Sequence, residues 1–257
     1  MSLVVVGTVA FDTIETPFGK TDKIIGGAAT YSGISASYFT KNIKLVSVVG
    51  DDFPTEMIKK FTSLGISTDG LQIKKGEKTF FWSGKYHVDM NTRDTLDTQL
   101  NVLIDFDPEI PSSYQDCDFL MLSNLMPQLQ KKVIERLHKR PKLVVMDTMN
   151  FWMETQWDSL METIKLVDVL TINDSEARQI TNEYSLVRAA QKILRMGPKY
   201  LIIKKVNMAL SCLIRIRFSL LLPYRSKMSS TLLVPAIHLL EDSSATSLKR
   251  ETYPSII

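Results

Sequence analysis

The segment Val169-Leu-Thr-Ile-Asn-Asp-Ser-Glu176 passes from four apolar or β-branched residues straight into the polar start of a helix. A helical pattern over Asp174–Met196 follows it, and Tyr200-Leu-Ile-Ile203 is a second short apolar run. A strand, a helix and a second strand in this order predict a βαβ unit, whose two strands lie parallel in one sheet. This segment therefore sets the class of fold that the rest of the chain has to match.

The same alternation of strand and helix runs upstream of Val169. Short apolar runs predict strands, and amphipathic patterns predict the helices between them. The strands are expected at Leu3–Val6, Leu45–Val49, Phe119–Leu122 and Leu143–Met146, and the helices at Ala28–Phe39, Pro54–Ser63, Gln128–Lys139 and Trp157–Lys165. This order predicts an α/β fold with a doubly wound, mostly parallel sheet, whose ligands bind beyond the carboxyl ends of the strands.

Two segments, near residues 11–25 and 78–95, do not follow the alternation. Both are rich in Thr, Phe, Trp and Tyr and have turn residues between short extended stretches. They predict small antiparallel strands outside the main sheet, which we interpret as a lid over a binding site. An ordinary hairpin that covers a sheet edge is the alternative.

Composition narrows the classes of function. The 257 residues are 44% hydrophobic, which is enough for a sizeable core, and the net charge is only +3. Lysine and arginine are scattered, so no nucleic-acid partner is expected. Cys117 and Cys212 have no metal-ligand spacing, which fits a reducing compartment. With no signal-peptide pattern and no membrane-length apolar run, we expect a cytoplasmic protein without a membrane partner.

Polar residues and glycines follow the predicted strands. Asp12 comes soon after the first strand, where a carboxylate can accept hydrogen bonds from a polyol, although an Asp taken alone at such a position is more often a turn residue. Gly26 and Gly27 precede a helix and permit close approach of the backbone to a ligand.

Two further motifs follow strands later in the chain. Asp147 and Asn150 place a carboxylate and an amide at the ligand edge of the sheet, where such residues also serve as caps or turns. Asn173 and Glu176 lie three residues apart at a helix start. A helix cap with a box-like Glu is their purely structural interpretation.

Taken in this order, the motifs over residues 1–205 resemble the ribokinase-like, or PfkB-type, carbohydrate kinase family. The resemblance implies transfer of the ATP γ-phosphoryl group to a hydroxyl of a sugar or nucleoside, with Mg²⁺. Lid strands commonly pair between subunits in this family, so a homodimer through the lid is an expectation. Many members carry an Asn shortly after the glycine pair, where this chain has Tyr31.

The resemblance also implies roles for single residues. Asp12, Gly26 and Gly27 would hold sugar hydroxyls, and Arg93 would reach the substrate from the lid. The remaining implied roles are substrate binding for Asp147 and Asn150, the magnesium and phosphate network for Asn173 and Glu176, and nucleotide binding for Lys205, with no direct metal ligand.

The motif that carries the family's catalytic base and backbone anion hole is absent. That motif reads D-P-T-G-A-G-D or close to it, and its Asp takes the proton of the hydroxyl while its amides neutralise charge on the phosphate. No glycine follows Lys205 in this chain. The segment 206–257 therefore cannot build the tight anion-binding turn.

A shifted reading frame restores the missing motif. If one base is lost just after Lys205, the codons of Lys205-Val-Asn-Met-Ala209 admit Lys-Gly-Glu-Tyr-Gly or Lys-Gly-Glu-His-Gly. In the same frame, Ser230–Ser243 admits D-P-T-G-A-G-D-S-F-A-G-G-F without a break. We therefore hypothesise that residues 206–257 are an aberrant tail, and that the C-terminal part of the fold is missing or scrambled. A genuine tail with an edge strand at residues 214–220 is the alternative.

Three classes of function follow from the sequence. The first is a carbohydrate kinase by ancestry, inactive as this polypeptide because the base and the anion hole are absent. The second is a non-catalytic sugar- or nucleoside-binding module, since the implied binding residues precede the break. The third, a dinucleotide-binding oxidoreductase, is disfavoured because Gly7-Thr-Val-Ala-Phe-Asp12 lacks G-x-G-x-x-G.

Overall fold

The computed structural model describes residues 1–90 and 92–205, and the backbone of 209–214 and 217–221. Its strands are β1 (Leu3–Val6), β2 (Ala10–Thr16), β3 (Gly19–Gly26), β4 (Ile43–Gly50), β5 (Ile66–Lys74), β6 (Phe81–Tyr86), β7 (Arg93–Gln99), β8 (Phe119–Leu122), β9 (Leu143–Asp147), β10 (Val169–Asn173), β11 (Tyr200–Lys205), β12 (Ala209–Ile214) and β13 (Arg217–Leu221).

The helices in the described ranges are α1 (Ala28–Ala36), α2 (Thr55–Ser63), α3 (Pro127–Arg136), α4 (Asn150–Thr155), α5 (Trp157–Ile164), α6 (Asp174–Thr181) and α7 (Leu186–Met196). Two short 3₁₀ turns lie at Asn101–Leu103 and Ser112–Tyr114. Among these described helices, none combines the length and the apolar character needed to cross a bilayer.

Nine strands form the main sheet, in the order β13-β12-β11-β10-β9-β8-β1-β4-β5. The seven strands from β11 to β5 all pair in parallel, whereas β12 and β13 pair antiparallel. The prediction of an α/β fold with a mostly parallel sheet is confirmed, because the βαβ unit read from β10 to β11 recurs along the chain.

Alternate residues of β1 show why both faces of the sheet are covered. Leu3 and Val5 belong to the apolar core that includes residues of α1 and α2. Val4 and Val6 belong to the core on the opposite face, which includes residues of α3, α5, α6 and α7. A strand buried on both faces has no room for polar side chains except at its ends. The chemistry of the sheet is therefore confined to strand ends and loops.

A second sheet of four strands, in the order β3-β2-β6-β7, stands outside the main sheet. We call it the lid sheet. It occupies the two segments where lid strands were predicted. The sequence predicted that these strands are all antiparallel. This part of the prediction is wrong, because the central pair β2 and β6 runs parallel. Its edge strand β7 is exposed at every residue.

Three elements differ from the sequence prediction. The single helix expected over Asp174–Met196 is two helices, because Asn182 adopts a left-handed φ of 52° and ends α6. Strand β5 was not predicted, since Asp69 and Gly70 interrupt its apolar pattern. Helix α4 was also missed, because its six residues are too short for a helical period to show.

The main sheet continues beyond Lys205. Strand β12 pairs with β11, and β13 pairs with β12. The loss of these last strands, expected for an aberrant tail, is therefore not seen for the two described segments. The edge strand of the alternative, at 214–220, falls partly on residues 215 and 216, outside the described residues. The division of the chain at residue 205 stays a prediction, and most of the tail, 222–257, lies outside the described residues as well.

The end of the sheet opposite the strand carboxyl ends depends on Asp168. This carboxylate is 4% exposed, and it accepts hydrogen bonds from Val144 N at 3.0 Å, Arg140 Nη2 at 2.9 Å and Lys199 Nζ at 2.9 Å. Three separate segments thus meet on one buried acid.

We expect Asp168→Ala to lower the free energy of unfolding by about 2 kcal/mol, because it leaves the buried Val144 amide without its acceptor and removes the partner of two cations that are at least half exposed. Urea unfolding would measure the change. The matched control, Asp105→Ala at an exposed position, should stay within about 0.5 kcal/mol. A loss below about 1 kcal/mol for Asp168→Ala would contradict the structural role given to this residue.

Candidate functional site

The carboxyl ends of three neighbouring strands carry a charged contact. Lys204 of β11 reaches across β10 and donates from Nζ to Asp147 Oδ1 of β9 over 2.8 Å. Thr171 of β10 donates to the same oxygen at 3.0 Å. Glu176 lies in the first turn of α6, within the field of both charges. We name these four residues the strand-end cluster.

Glu176 combines a structural contact with an unusual protonation equilibrium. Its Oε2 accepts from Asn173 N at 2.7 Å, and its own N donates to Asn173 Oδ1 at 2.7 Å, so the predicted capping box is present. Burial raises the pKa of this carboxyl to about 7, although the Lys204 charge and the Asn173 amide act to lower it. Glu176 is therefore part cap and part titrating group at neutral pH.

Lys204, which the sequence analysis did not single out, holds this cluster together. Burial alone would lower the pKa of its ammonium group, but attraction to Asp147 and Glu176 raises it overall. Successive residues of a strand point to opposite faces, so Lys205 points away from the cluster. Among the described contacts, those of the cluster are made by Lys204, and the nucleotide-binding role of Lys205 stays a prediction. The sequence signal that could have identified Lys204 is the alternation of side chains between the two faces of β11, counted back from the end of the strand.

Asn150 is the predicted residue that lies apart from the cluster. It is exposed at the first position of α4. The turn before it is fixed by Asn124, which follows β8 and was not predicted. Asn124 accepts from Trp152 Nε1 at 2.8 Å and donates to Met149 Sδ at 3.1 Å. Asn124 therefore positions the segment on which Asn150 sits.

Asp12 lies on the lid side of the site, packed against the glycine pair. A Cβ on Gly26 would come within 2.0 Å of Asp12 Oδ2, so only glycine fits beside the carboxylate. Gly27 has φ +94°, and a Cβ there would come within 2.4 Å of the Thr8 carbonyl oxygen. Burial raises the pKa of Asp12 to about 6, while a hydrogen bond from the Gly27 amide acts to lower it.

The lid sheet presents one face on which several predicted residues lie. Asp12 of β2 is the register partner of Trp82 of β6, and Tyr86 of β6 is the partner of Arg93 of β7. Register partners, and residues two or four apart on one strand, share a face. Asp12, Trp82, Tyr86 and Arg93 therefore lie on the same face of the lid sheet.

Arg93 joins this lid face to the strand-end cluster. Burial is the largest single influence on the pKa values of Glu176 and Lys204, raising the first and opposing the net rise of the second, and the Arg93 charge acts to lower both. The guanidinium carbon also lies 5.9 Å from the centre of the Trp82 ring. The lid face and the strand-end cluster are thus close enough to interact electrostatically.

The structure brings the predicted site residues into two groups. Asp12, Gly26 and Gly27 lie on the lid side, and Asp147, Asn173 and Glu176 lie at the strand ends, with Arg93 between the groups. Their functional roles remain predictions. Within the described part of the chain, no group of three or more His, Cys, Asp and Glu side chains is arranged to hold a metal ion.

Comparison with known proteins gives a family and one similar relative. A family model described as pfkB family carbohydrate kinase matches residues 2–206. A cytidine kinase of Thermococcus kodakarensis is 29% identical over 208 residues, which make up 80% of this chain and 73% of the relative.

Solved structures share the fold. A nucleoside kinase of Burkholderia thailandensis, in complex with inosine, gives a TM-score of 0.71 at 12% identity, covering 94% of this chain and 85% of that chain. An E. coli protein described as a ribokinase II, in complex with ATP and Mg²⁺, gives 0.73 at 14% identity, covering 93% and 86%. At such identities, the likeness shows the fold alone.

We expect Asp12→Asn to stabilise the protein more at pH 8 than at pH 4.5, by about 1–2 kcal/mol. The pKa of Asp12 rises from 3.8 to about 6 on folding, so stability from this group is present at low pH and is lost as the pH rises through 6. The neutral amide avoids that loss. Urea unfolding at both pH values measures the change in the free energy of unfolding, with Asp105→Asn as the control at an exposed position. Equal effects at both pH values would contradict the buried carboxylate.

We expect Lys204→Met to destabilise the protein by about 2 kcal/mol at pH 8, because it leaves two partly buried carboxylates without their cation. The cost should shrink at pH 5.5, since Glu176, whose pKa is raised to about 7, is then protonated. Lys205→Met is the neighbouring control and should show no such pH dependence. A loss of the same size for both variants at both pH values would rule out the special role of Lys204.

Proposed function

Since this chain belongs to the pfkB family of carbohydrate kinases, whose members are phosphotransferases with an alcohol acceptor, we propose that the two parts of its candidate site bind different substrates. The lid face around Asp12 binds the sugar or nucleoside hydroxyls, and the strand-end cluster lies beside the phosphates of ATP. The proposal is carried by one observation, that Arg93, which shares a face of the lid sheet with Asp12, acts electrostatically on Glu176 and Lys204 at the carboxyl ends of the parallel strands.

Asp12 suits a hydroxyl-binding role in chemical terms. With a pKa raised to about 6, its carboxylate is mostly ionised at neutral pH, and its two oxygens can accept hydrogen bonds from two neighbouring hydroxyl groups of a ligand. The absence of a side chain on Gly26 makes room for this carboxylate, since a Cβ there would come within 2.0 Å of Asp12 Oδ2. A partly buried carboxylate loses less to competition from water than an exposed one.

The strand-end cluster suits magnesium and phosphate in its donor set. Asp147 and Glu176 offer carboxylate oxygens, which Mg²⁺ prefers, and Lys204 and Arg93 offer positive charge for phosphate oxygens. When bound, magnesium-ATP supplies the phosphoryl group. The residues of this chain orient it and screen its charge.

We further propose that this polypeptide does not catalyse phosphoryl transfer. The catalytic Asp and the glycine-rich anion hole are not spelled in frame anywhere after Lys205, and the last glycine of the chain is Gly197. Without a base and backbone amides at the transferring group, the largest contributions to catalysis are lost. The frame-shifted motif in the codons of Ser230–Ser243 supports loss of a single base as the cause.

The second candidate is a non-catalytic sugar- or nucleoside-binding module. It is favoured by the position of Asp12, Gly26 and Gly27, which all precede the break and are held in place in the described structure. Two similar proteins are described as a cytidine kinase and as a nucleoside kinase, which supports a nucleoside as the ligand of such a module.

The partners and the cellular location expected from the sequence remain predictions. A homodimer through the lid strands is consistent with the exposed edge of β7. A cytoplasmic protein without nucleic-acid or membrane partners remains the expectation from charge distribution and cysteine content.

A nucleotide sequence and an activity assay test the proposal. Sequencing across codons 204–243 should reveal codons that spell the missing motif in the shifted frame. An ADP-release assay over a sugar and nucleoside panel should show turnover for a chain with one base restored after codon 205, and none for the chain as it stands. Robust turnover by the unrepaired chain would refute its proposed inactivity, and codons unable to spell the motif would end the frameshift hypothesis.

A further inference from the structure

Three aromatic residues lie beside Asp12 or on the same face of the lid sheet. Trp82 is its direct register partner on β6, and Tyr86 lies four residues further along the same strand and on the same face. Tyr31 lies in the first turn of α1, and its amide donates to the carbonyl of Gly27 at 3.3 Å. Gly27 in turn donates to Asp12, so the start of α1 places Tyr31 beside the carboxylate.

The phenol of Tyr31 faces the lid. Burial, and then the negative charge of Asp12, raise the pKa of its hydroxyl group, and Tyr86 acts in the same direction, which places both residues near it. Tyr31 is nevertheless 39% exposed, and Tyr86 and Trp82 are partly exposed. Aromatic rings that border a buried carboxylate while remaining accessible leave apolar surface available to a ligand.

Trp82 is held on the lid face by its own contacts. Its ring covers Gly84, where a Cβ would come within 2.1 Å of the indole, so the missing side chain makes room for it. The indole Nε1 donates to Thr95 Oγ1 at 3.3 Å, and the Arg93 guanidinium lies over the ring. With Trp82 already covered on the Arg93 side, Tyr31 and Tyr86 are the rings left to contact a ligand.

We propose that Tyr31 and Tyr86 determine acceptor specificity by holding the base of a nucleoside whose ribose hydroxyls bind Asp12. This inference rests on the proposed acceptor site and names its substrate class. A free sugar presents hydroxyls on all sides and needs polar partners around its ring, whereas the lid face that carries Asp12 supplies one carboxylate, the Arg93 guanidinium and aromatic rings. A flat heteroaromatic base attached to a diol matches that surface, because every nucleobase has a face that stacks on an aromatic ring.

Binding measurements on the full chain test the proposal. Isothermal titration would compare cytidine, inosine and free ribose, and we expect both nucleosides to bind at least about tenfold more tightly than ribose. Tyr31→Ala and Tyr86→Ala should each weaken nucleoside binding about tenfold and leave ribose binding unchanged. Tyr31→Phe should restore nucleoside binding, because it keeps the ring. Tyr184→Ala, at a residue that is 90% exposed elsewhere on the surface, is the matched control and should change nothing.

Several outcomes would overturn the inference while leaving the proposed function standing. Binding of ribose or another free sugar as tightly as the nucleosides would overturn it, and so would an equal loss of sugar and nucleoside binding in Tyr31→Ala. Phosphorylation of free sugars and of no nucleoside by the base-restored chain would also overturn it. If neither the present chain nor the base-restored chain binds any sugar or nucleoside, both the inference and the proposed acceptor site fail.

Discussion

The Lys204 ammonium, reaching across β10 to Asp147, is the contact on which the candidate site depends. A parallel sheet buried on both faces has no place for charge along its strands, so carboxylates collect at the strand ends. Two of them, Asp147 and Glu176, lie close together here. An unpaired carboxylate in such a place would be costly, and a like-charged pair more so. The positive charge of Lys204, at the end of the last parallel strand, offsets the cost of both carboxylates. The same contact links β11 to β9 across β10.

Much of this architecture can be predicted from the sequence, for a physical reason. Strands buried on both faces consist almost wholly of apolar or β-branched residues, so Leu3–Val6 and Val169–Ile172 are visible as uninterrupted runs of such residues. The partly exposed β5 carries polar residues and was missed. The break at Asn182 also escaped prediction, because the apolar period of α6 and α7 continues across a single left-handed residue.

The site was predictable in its motifs and not in its contacts. Asp12 and the glycine pair were identified from their positions after a strand, but the fit of Gly26 under the Asp12 carboxyl appears only in three dimensions. The choice between Lys204 and Lys205 depends on which face of β11 looks toward Asp147. That parity follows from sheet register, which a sequence specifies only through long-range packing. The antiparallel pairing of β12 and β13 likewise does not show whether this part of the chain is the product of a shifted reading frame. Strand pairing uses backbone groups that every residue except proline carries, so it depends little on the side chains.

The exposed edge of the lid sheet has a consequence for the behaviour of the protein in solution. A bare strand is a template onto which further chains can add without limit, which is the route to fibrous aggregates. Strand β7 carries Arg93, Asp94 and Asp97 within seven residues. Charges at this density act as gatekeepers, because stacking identical copies in register would bring like charges together at every layer. The same edge is thus open to one ordered neighbour and resistant to runaway polymerisation.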